Sequence, residues 1–244
     1  METPKWLERT ELLLKEDGQQ KLRNANILIV GLGGVGSFAA EFIARAGVGS
    51  MTIVDGDDVD ITNINRQLPA LHSTVGKMKA DVVAERLLDI NPDLKLTVIK
   101  KFLSPEEAFE IVTPEFNYVL DCIDSVTPKL NLIMAGLRKK VKVVSSMGAG
   151  GKLDPSKVEV KDISRVRDCT LARSIKKQLK KNGFHKGVRC VFSSEIQDKE
   201  SVFRTDGSNF KKSFYGTVSY MPALFGLYAA AEVINKLLEK QEEL

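Results

Sequence analysis

The chain predicts an α/β fold, a doubly wound and mostly parallel sheet with helices on both faces. Three observations carry that expectation. Short apolar runs alternate with stretches of helical periodicity as far as Ser146. The run Ile27-Leu28-Ile29-Val30 passes directly into Gly31-Leu32-Gly33-Gly34-Val35-Gly36, with the helix-like stretch Ser37 to Ala46 behind it. A second run, Met51 to Val54, ends on Asp55, nineteen residues past Gly36. A strand, a tight glycine turn and a helix in that order bring backbone N–H groups to a phosphate at the helix's positive end. An acidic residue closing the next strand is placed to hold a ribose hydroxyl. The pattern predicts a nucleotide site.

The elements follow in order. Residues 3–24 form a short helical arm with a turn at Asp17-Gly18. Strands at 27–30 and 51–54 flank the helix at 37–46 as a βαβ unit. Lys77 to Asp89 is helical because Val82, Val83, Arg86 and Leu87 follow the helical period, and Asn91-Pro92 ends it. Lys95 to Lys100 is a third strand and Pro105 to Ile111 a short helix. Tyr118 to Asp121 is a fourth strand, running into Asp-Cys-Ile-Asp. Pro128 to Arg138 is a helix and Val141 to Ser146 a fifth strand. From Gly148-Ala149-Gly150-Gly151 the pattern loosens into an irregular, basic half with one cationic helix, Cys169 to Lys181. Residues 183–212 suit a flap that orders on substrate, and Ala223 to Glu239 is a closing helix. Residues 1–150 thus make a Rossmann-like nucleotide-binding region. Residues 151–244 make a basic region and C-terminal helix continuous with the same domain.

Composition bounds the function. With 244 residues, 43% hydrophobic and 28% charged, the chain can bury a sizeable core as a soluble protein. Three cysteines, Cys122, Cys169 and Cys190, contain no CxxC pair. That argues against a disulfide framework and against a structural zinc site, and fits a reducing cytoplasm. The charged N-terminus lacks the apolar core of a signal peptide. The longest apolar stretch, Met221 to Ile234, is interrupted by Pro222 and Glu232 and reads as a packed helix, not a membrane span. Between Lys161 and Arg189 ten Lys/Arg face two Asp, a local charge of +8 in a chain of +4, so the rest carries −4. A basic segment on an acidic body points to a polyanionic partner.

The residues after the second strand sharpen the nucleotide reading. Asn63-Ile64-Asn65-Arg66-Gln67 follows the acidic loop Asp55-Gly56-Asp57-Asp58, and Lys79 lies sixteen residues beyond Asn63. Arg66 and Lys79 converging on the pyrophosphate side suit a triphosphate, because charge-assisted bonds stabilise a leaving pyrophosphate. Asp124, at the carboxyl end of the fourth strand, stands where a magnesium ligand belongs in an open α/β sheet. Each also has a plainer reading: Arg66 and Lys79 as solvated surface charges, Asp124 as the cap of the helix starting near Pro128. A nicotinamide-dependent dehydrogenase would explain the glycine turn and Asp55 but leave Arg66, Lys79 and Asp124 without a role. A non-catalytic nucleotide-gated scaffold is a further alternative.

Four stretches, GLGGVGS, AGVGSMTIVDGDDVDITNINRQ, HSTVGKMKA and DCIDSVTPKLNL, resemble the ubiquitin-activating-enzyme-like adenylating superfamily over about residues 9–150. DISRVRDCTLARSIKKQLKKNGFHKGVRCVFSSE and GTVSYMPALFGL resemble its tRNA threonylcarbamoyladenosine dehydratase branch. The resemblance implies an ATP-dependent, cyclising dehydration of threonylcarbamoyladenosine beside the anticodon of tRNA, through an acyl-adenylate on the threonine carboxylate. It implies that Gly33 and Gly36, within the turn formed by Gly31, Gly33, Gly34 and Gly36, approach the phosphates. Asp55 would hold the ribose, with Asp57 in the same loop. Asn63, Arg66 and Lys79 would bind the triphosphate, Asp124 would hold magnesium, and Asn65 and Gln67 would support them. Arg9 would reach the γ-phosphate in the partner subunit of a homodimer. The alternative within the superfamily is an adenylyltransferase activating a ubiquitin-like or sulfur-carrier protein, and a sulfur-relay partner also belongs to these expectations.

Cys122 is expected to be buried, and Cys169 and Cys190 to be exposed in the basic half. Cyclisation requires no covalent cysteine intermediate. His185 suits a phosphate-backbone contact or a surface residue, and His72 a structural role. Arg165, Arg167, Arg173, Lys176, Lys177, Lys180, Lys181, Lys186 and Arg189 would line a tRNA phosphate path with little sequence reading. The alternative for that run is a solvated cationic helix face.

Overall fold

A computed structural model of the chain describes residues 3–198, 200–204 and 213–239. Part of the 183–212 stretch read as a flap, residues 199 and 205–212, lies outside the described residues. Helices are α1 (Glu8–Arg23), α2 (Gly36–Arg45), α3 (Lys79–Ile90), α4 (Pro105–Ile111), α5 (Val126–Arg138), α6 (Thr170–Lys181) and α7 (Tyr220–Leu238). Strands are β1 (Asn26–Val30), β2 (Ser50–Val54), β3 (Lys95–Ile99), β4 (Tyr118–Asp121), β5 (Lys142–Ser146), β6 (Val158–Asp162), β7 (Val188–Ser193), β8 (Val202–Arg204) and β9 (Ser213–Tyr215).

Seven strands form one sheet in the order β3-β2-β1-β4-β5-β7-β6, parallel except for β6 at one edge, and β8 and β9 pair separately. β1 is apolar and buried from Ile27 to Val30 because helices cover both of its faces. On one face α1, α2, α3 and α7 build a core around Ile43, Leu87 and Phe225. On the other, α4, α5 and α6 pack through residues such as Phe109, Ile133 and Ile175. Met221, Phe225, Ala229 and Val233, spaced four apart, form the buried stripe of α7. Among the described residues α7 is also the one helix long and apolar enough to cross a bilayer; here that stripe lies in the protein core.

Three expectations are corrected. The second half is not irregular, since β7 pairs in parallel with β5 and β6 closes the same sheet. The charges in Val-Arg-Cys-Val-Phe-Ser and Val-Glu-Val-Lys-Asp mask two strands whose apolar residues pack into the core, those of β7 on both faces of the sheet. The break in the N-terminal arm falls at Lys15 (φ 61°, ψ 173°), not at Asp17-Gly18. Gly18 stays helical and buried, with Leu14 Cβ 2.9 Å from where its own Cβ would stand. The closing helix starts at Tyr220, ahead of Ala223, because Pro222 lies in its first turn, where a missing N–H costs nothing.

Candidate active site

A cavity of about 390 Å³ opens at the carboxyl ends of the strands. It sits where the strand order turns, between β1 and β4, since β2 and β3 were laid down on one side of β1 and β4 on the other.

The glycine turn forms its floor. Gly31 has φ +90°, and its amide donates to Val54 O at 2.8 Å. A Cβ there would stand 2.9 Å from Cys122 O, so both conformation and closeness demand glycine. Gly36 corrects an expectation. A Cβ on it would fall 1.7 Å from Gly31 O, so this glycine serves the turn's own packing and is absent from the cavity wall. Gly31, Gly33 and Gly34 line the cavity. A Cβ on Gly33 would meet only the Gln67 amide, at 3.5 Å, so Gly33 presents its backbone to the open space.

Asp55 joins this turn to the next loop. Its Oδ2 accepts from the Leu32 amide at 2.6 Å and its Oδ1 from the Asp57 amide at 2.8 Å. Burial raises its pKa, and the two amides and Lys79 only partly offset that. Each carboxylate oxygen keeps a lone pair free for a hydroxyl donor.

Arg66 and Lys79 are two of the cations on the cavity wall. Lys79 opens α3, is buried, and brings Nζ to 2.9 Å from Asp57 Oδ2. Arg66 is half-buried, and its Nη1 donates to Thr62 O at 2.9 Å and to Asn65 Oδ1 at 2.8 Å. Burial pulls the guanidinium below its ordinary value and Asp124 opposes it. The turn carrying Arg66 is set by a reciprocal cap. Thr62 N donates to Asp60 Oδ1 at 2.8 Å and Asp60 N to Asn63 Oδ1 at 3.3 Å. Asn63 therefore lines the cavity and pins its own loop. Asn65 is exposed and stays off the cavity wall; its Nδ2 donates to Thr217 O at 3.0 Å, so it orients Arg66 from behind. Gln67 Oε1 is buried without a hydrogen-bond partner in the chain, an acceptor on a cavity-lining side chain.

Asp124 lines the cavity and accepts from Ser125 Oγ at 3.3 Å. Ser125, not Asp124, is the N-cap residue of α5, and no side chain caps that helix. Among the described residues no three His, Cys, Asp or Glu cluster as a metal site. The Asp124 carboxylate on the wall of a nucleotide-sized cavity fits magnesium, which takes its other oxygens from phosphates and water. Arg9 is exposed on α1 and does not line the cavity of its own chain.

Cys122 borders the cavity, and burial pushes its thiol pKa up. Cys169 and Cys190 are buried, at 3% and 0% exposure, which corrects the expectation that they face solvent. Cys190 points inward from β7, and burial raises its thiol pKa as well. Neither Cys122 nor Cys190 has the lowered pKa of an activated nucleophile. His72 and His185 are both exposed.

Of the basic residues, Arg165, Arg167, Arg173, Lys177, Lys180, Lys181 and Lys186 are exposed. Lys176 is half-buried and donates to Ser164 O at 2.5 Å. Arg189 departs from the expected path. Its neighbours Val188 and Cys190 pack with α6, so strand alternation turns Arg189 to the other face of the sheet, where its Nε lies 2.6 Å from Glu232 of α7. The sheet separates it from the cationic helix.

Further lining residues carry no motif in the sequence: Lys101 to Leu103 after β3, Ser146 at the end of β5 with Met147 to Gly150 after it, and Thr217. The first two groups directly follow parallel strands, and that position is the signal that finds them.

The ThiF family model matches residues 7–244. The tRNA threonylcarbamoyladenosine dehydratase of Bacillus subtilis is 37% identical over 241 residues, 96% of this chain and 95% of its own length. The crystal structure of the Escherichia coli tRNA N6-threonylcarbamoyladenosine dehydratase in complex with ATP superposes with a TM-score of 0.86 at 37% identity, over 97% of this chain and 96% of that one. The Escherichia coli sulfur carrier protein ThiS adenylyltransferase is 37% identical over 139 residues, but only 56% of this chain is covered.

Proposed function

The chain belongs to the ThiF family, and from that membership and its cavity we propose that it catalyses the ATP-dependent dehydration of threonylcarbamoyladenosine in tRNA. One observation carries the reading. Likeness to dehydratases runs through 96% of the chain, whereas likeness to the sulfur-carrier adenylyltransferase stops at 56%. The carrier-protein alternative accounts for the nucleotide-binding residues but not for the rest of the chain.

The threonine carboxylate attacks the α-phosphate of ATP, the bond to the leaving pyrophosphate breaks, and an acyl-adenylate forms. The ureido group then closes onto the activated carbonyl and AMP leaves, for a net loss of one water from the nucleoside. The chain's task is to hold charge and geometry. Arg66 and Lys79 neutralise the triphosphate, held by Asn65 and Asp57 respectively. Gly33 and Gly34 bring backbone to the phosphates, Asp55 receives the ribose, and Asn63 and Gln67 complete the wall. Magnesium at Asp124 would spread the charge of the departing pyrophosphate.

Two copies acting together would bring Arg9 of one to the nucleotide of the other. The exposed Trp6, Leu12 and Leu13 of the N-terminal arm and Leu227 and Tyr228 of α7 supply apolar surface for such a dimer. The exposed cations of α6 and its flanks form the tRNA-facing surface, and a tRNA substrate sets the work in the cytoplasm. A sulfur-relay protein is a candidate further partner.

The test incubates the chain with ATP, magnesium and threonylcarbamoyladenosine-bearing tRNA, then digests the tRNA for nucleoside mass spectrometry. Loss of one water that needs ATP and disappears in Arg66→Ala supports the reading. An unchanged nucleoside with ATP bound overturns it in favour of a carrier protein.

A further inference from the structure

One buried ion pair has no part in the chemistry above. Lys129 of α5 and Asp121 of β4 are both fully buried, with Nζ 2.6 Å from Asp121 Oδ2. The same ammonium donates to Ser146 O at 2.8 Å and lies 3.3 Å from Ser145 Oγ, while Ser145 Oγ donates to Asp121 Oδ2 at 2.6 Å. The other carboxylate oxygen, Asp121 Oδ1, accepts from the Ile123 amide at 3.1 Å.

The pair lies beneath two walls of the cavity. Asp121 ends β4 and immediately precedes Cys122, Ile123 and Asp124; Ser146 ends β5 and opens the strip through Gly150. Asp121 and Ser145 are register partners across these strands. A lysine at zero exposure is costly to bury, and an apolar pair of similar volume would pack as well or better. Packing alone therefore does not account for it. What an apolar pair would lose is the bond to the Ile123 amide, which fixes the turn presenting Asp124, and the bond to Ser146 O, which ties that turn to the facing wall.

We propose that Lys129, through Asp121, is a positioning residue that sets the Asp124 carboxylate for magnesium–nucleotide binding. This rests on the assignment of Asp124 to the metal. Neither Lys129 nor Asp121 lines the cavity, so both act through the 122–124 turn. Groups standing behind a metal ligand govern its orientation, and their loss lowers metal affinity by about 10- to 100-fold.

The experiment measures ATP binding by calorimetry across a magnesium titration, for the wild-type chain, Lys129→Met, the double variant Asp121→Leu/Lys129→Met, and Asp124→Ala. Lys129→Met leaves a buried carboxylate without its partner and can fail to fold; the double variant removes both charges and keeps volume. The expected result is a magnesium midpoint raised about 10-fold in the folded variants, with metal-free ATP affinity unchanged. If Asp124→Ala raises the midpoint and the folded Lys129 variants do not, the pair is structural only and the proposal is overturned. If metal-free ATP affinity falls equally in the Lys129 variants, the pair shapes the whole cavity and the proposal is likewise overturned. If Asp124→Ala leaves the midpoint unchanged, the metal assignment fails, and the proposal with it.

Discussion

Asp57 holds Lys79 at two points: its carboxylate takes the ammonium at 2.9 Å, and its backbone carbonyl takes the Lys79 amide at 3.0 Å. The first residue of α3 is thereby fixed to the loop after β2, and its charge is aimed along the cavity before any ligand arrives. Lys79→Ala is expected to lower dehydration by about 100-fold, as for the loss of one preorganised charge at a transition state. Asp57→Asn keeps the backbone bond and loses the ion pair, so its expected loss is about 10-fold. Single-turnover loss of water from the nucleoside, followed by mass spectrometry, separates the two.

Arg66 and Asn65 divide one task. Arg66→Ala removes the charge and is expected to abolish turnover. Asn65→Ala leaves the charge but frees Nη1 from one of its two acceptors and breaks the link to Thr217. It should raise KM for ATP several-fold with a smaller change in kcat, and an equal collapse of both parameters would contradict the supporting role.

The cysteines are spectators in this geometry. Cys169→Ser and Cys190→Ser should each retain dehydratase activity. Each places a hydroxyl in an apolar site and is expected to reduce stability by about 1–3 kcal/mol, measured by urea denaturation. A trapped thioester, or loss of activity at full folding, would contradict this.

The two faces of the sheet separate the basic residues. Arg173→Ala, Lys177→Ala and Lys180→Ala should each weaken tRNA binding and reduce the salt slope by about one. Arg189→Ala, lying on the opposite face against Glu232, should leave the salt slope unchanged. Filter binding across a salt series checks both.

Glu41 supplies a pH-dependent contribution. Burial raises its pKa, but the guanidiniums of Arg86 and Arg45 outweigh burial and hold it below 4.5. A carboxylate lowered in the folded state adds stability above the unfolded value and loses it as pH falls through the folded value. Glu41→Gln should therefore cost about 0.5 kcal/mol at neutral pH, allowing for its partial exposure, and nothing once pH falls below both values. Thermal unfolding from pH 7 down to acid conditions reads the convergence.

Much of the site was legible because it hangs on local backbone chemistry. Gly31 to Gly36 could be placed from the strand before and the helix after, and Asp55, Arg66, Lys79 and Asp124 from their distance past strand ends. The error at Gly36 has the same origin: its spacing is right, but the need for glycine comes from contact with Gly31 O, inside the turn. The strands β6 and β7 were missed because Glu159, Lys161 and Arg189 break their apolar runs; β6 is an edge strand, and on the interior strand β7 Arg189 is paired with Glu232.

By itself the sequence determined the α/β alternation, the nucleotide turn and the residue types offered to a triphosphate. All of these depend on neighbours within a few turns of chain. The tertiary structure alone decided which groups meet and which face they occupy. Lys129 reaches Ser146 because β4 and β5 lie side by side, Arg189 is parted from α6 by the sheet, and Cys169 and Cys190 are buried in the core that α5 and α6 build on one face of the sheet. Burial and pairing are set by strand adjacency, a non-local outcome of packing that residue spacing does not encode.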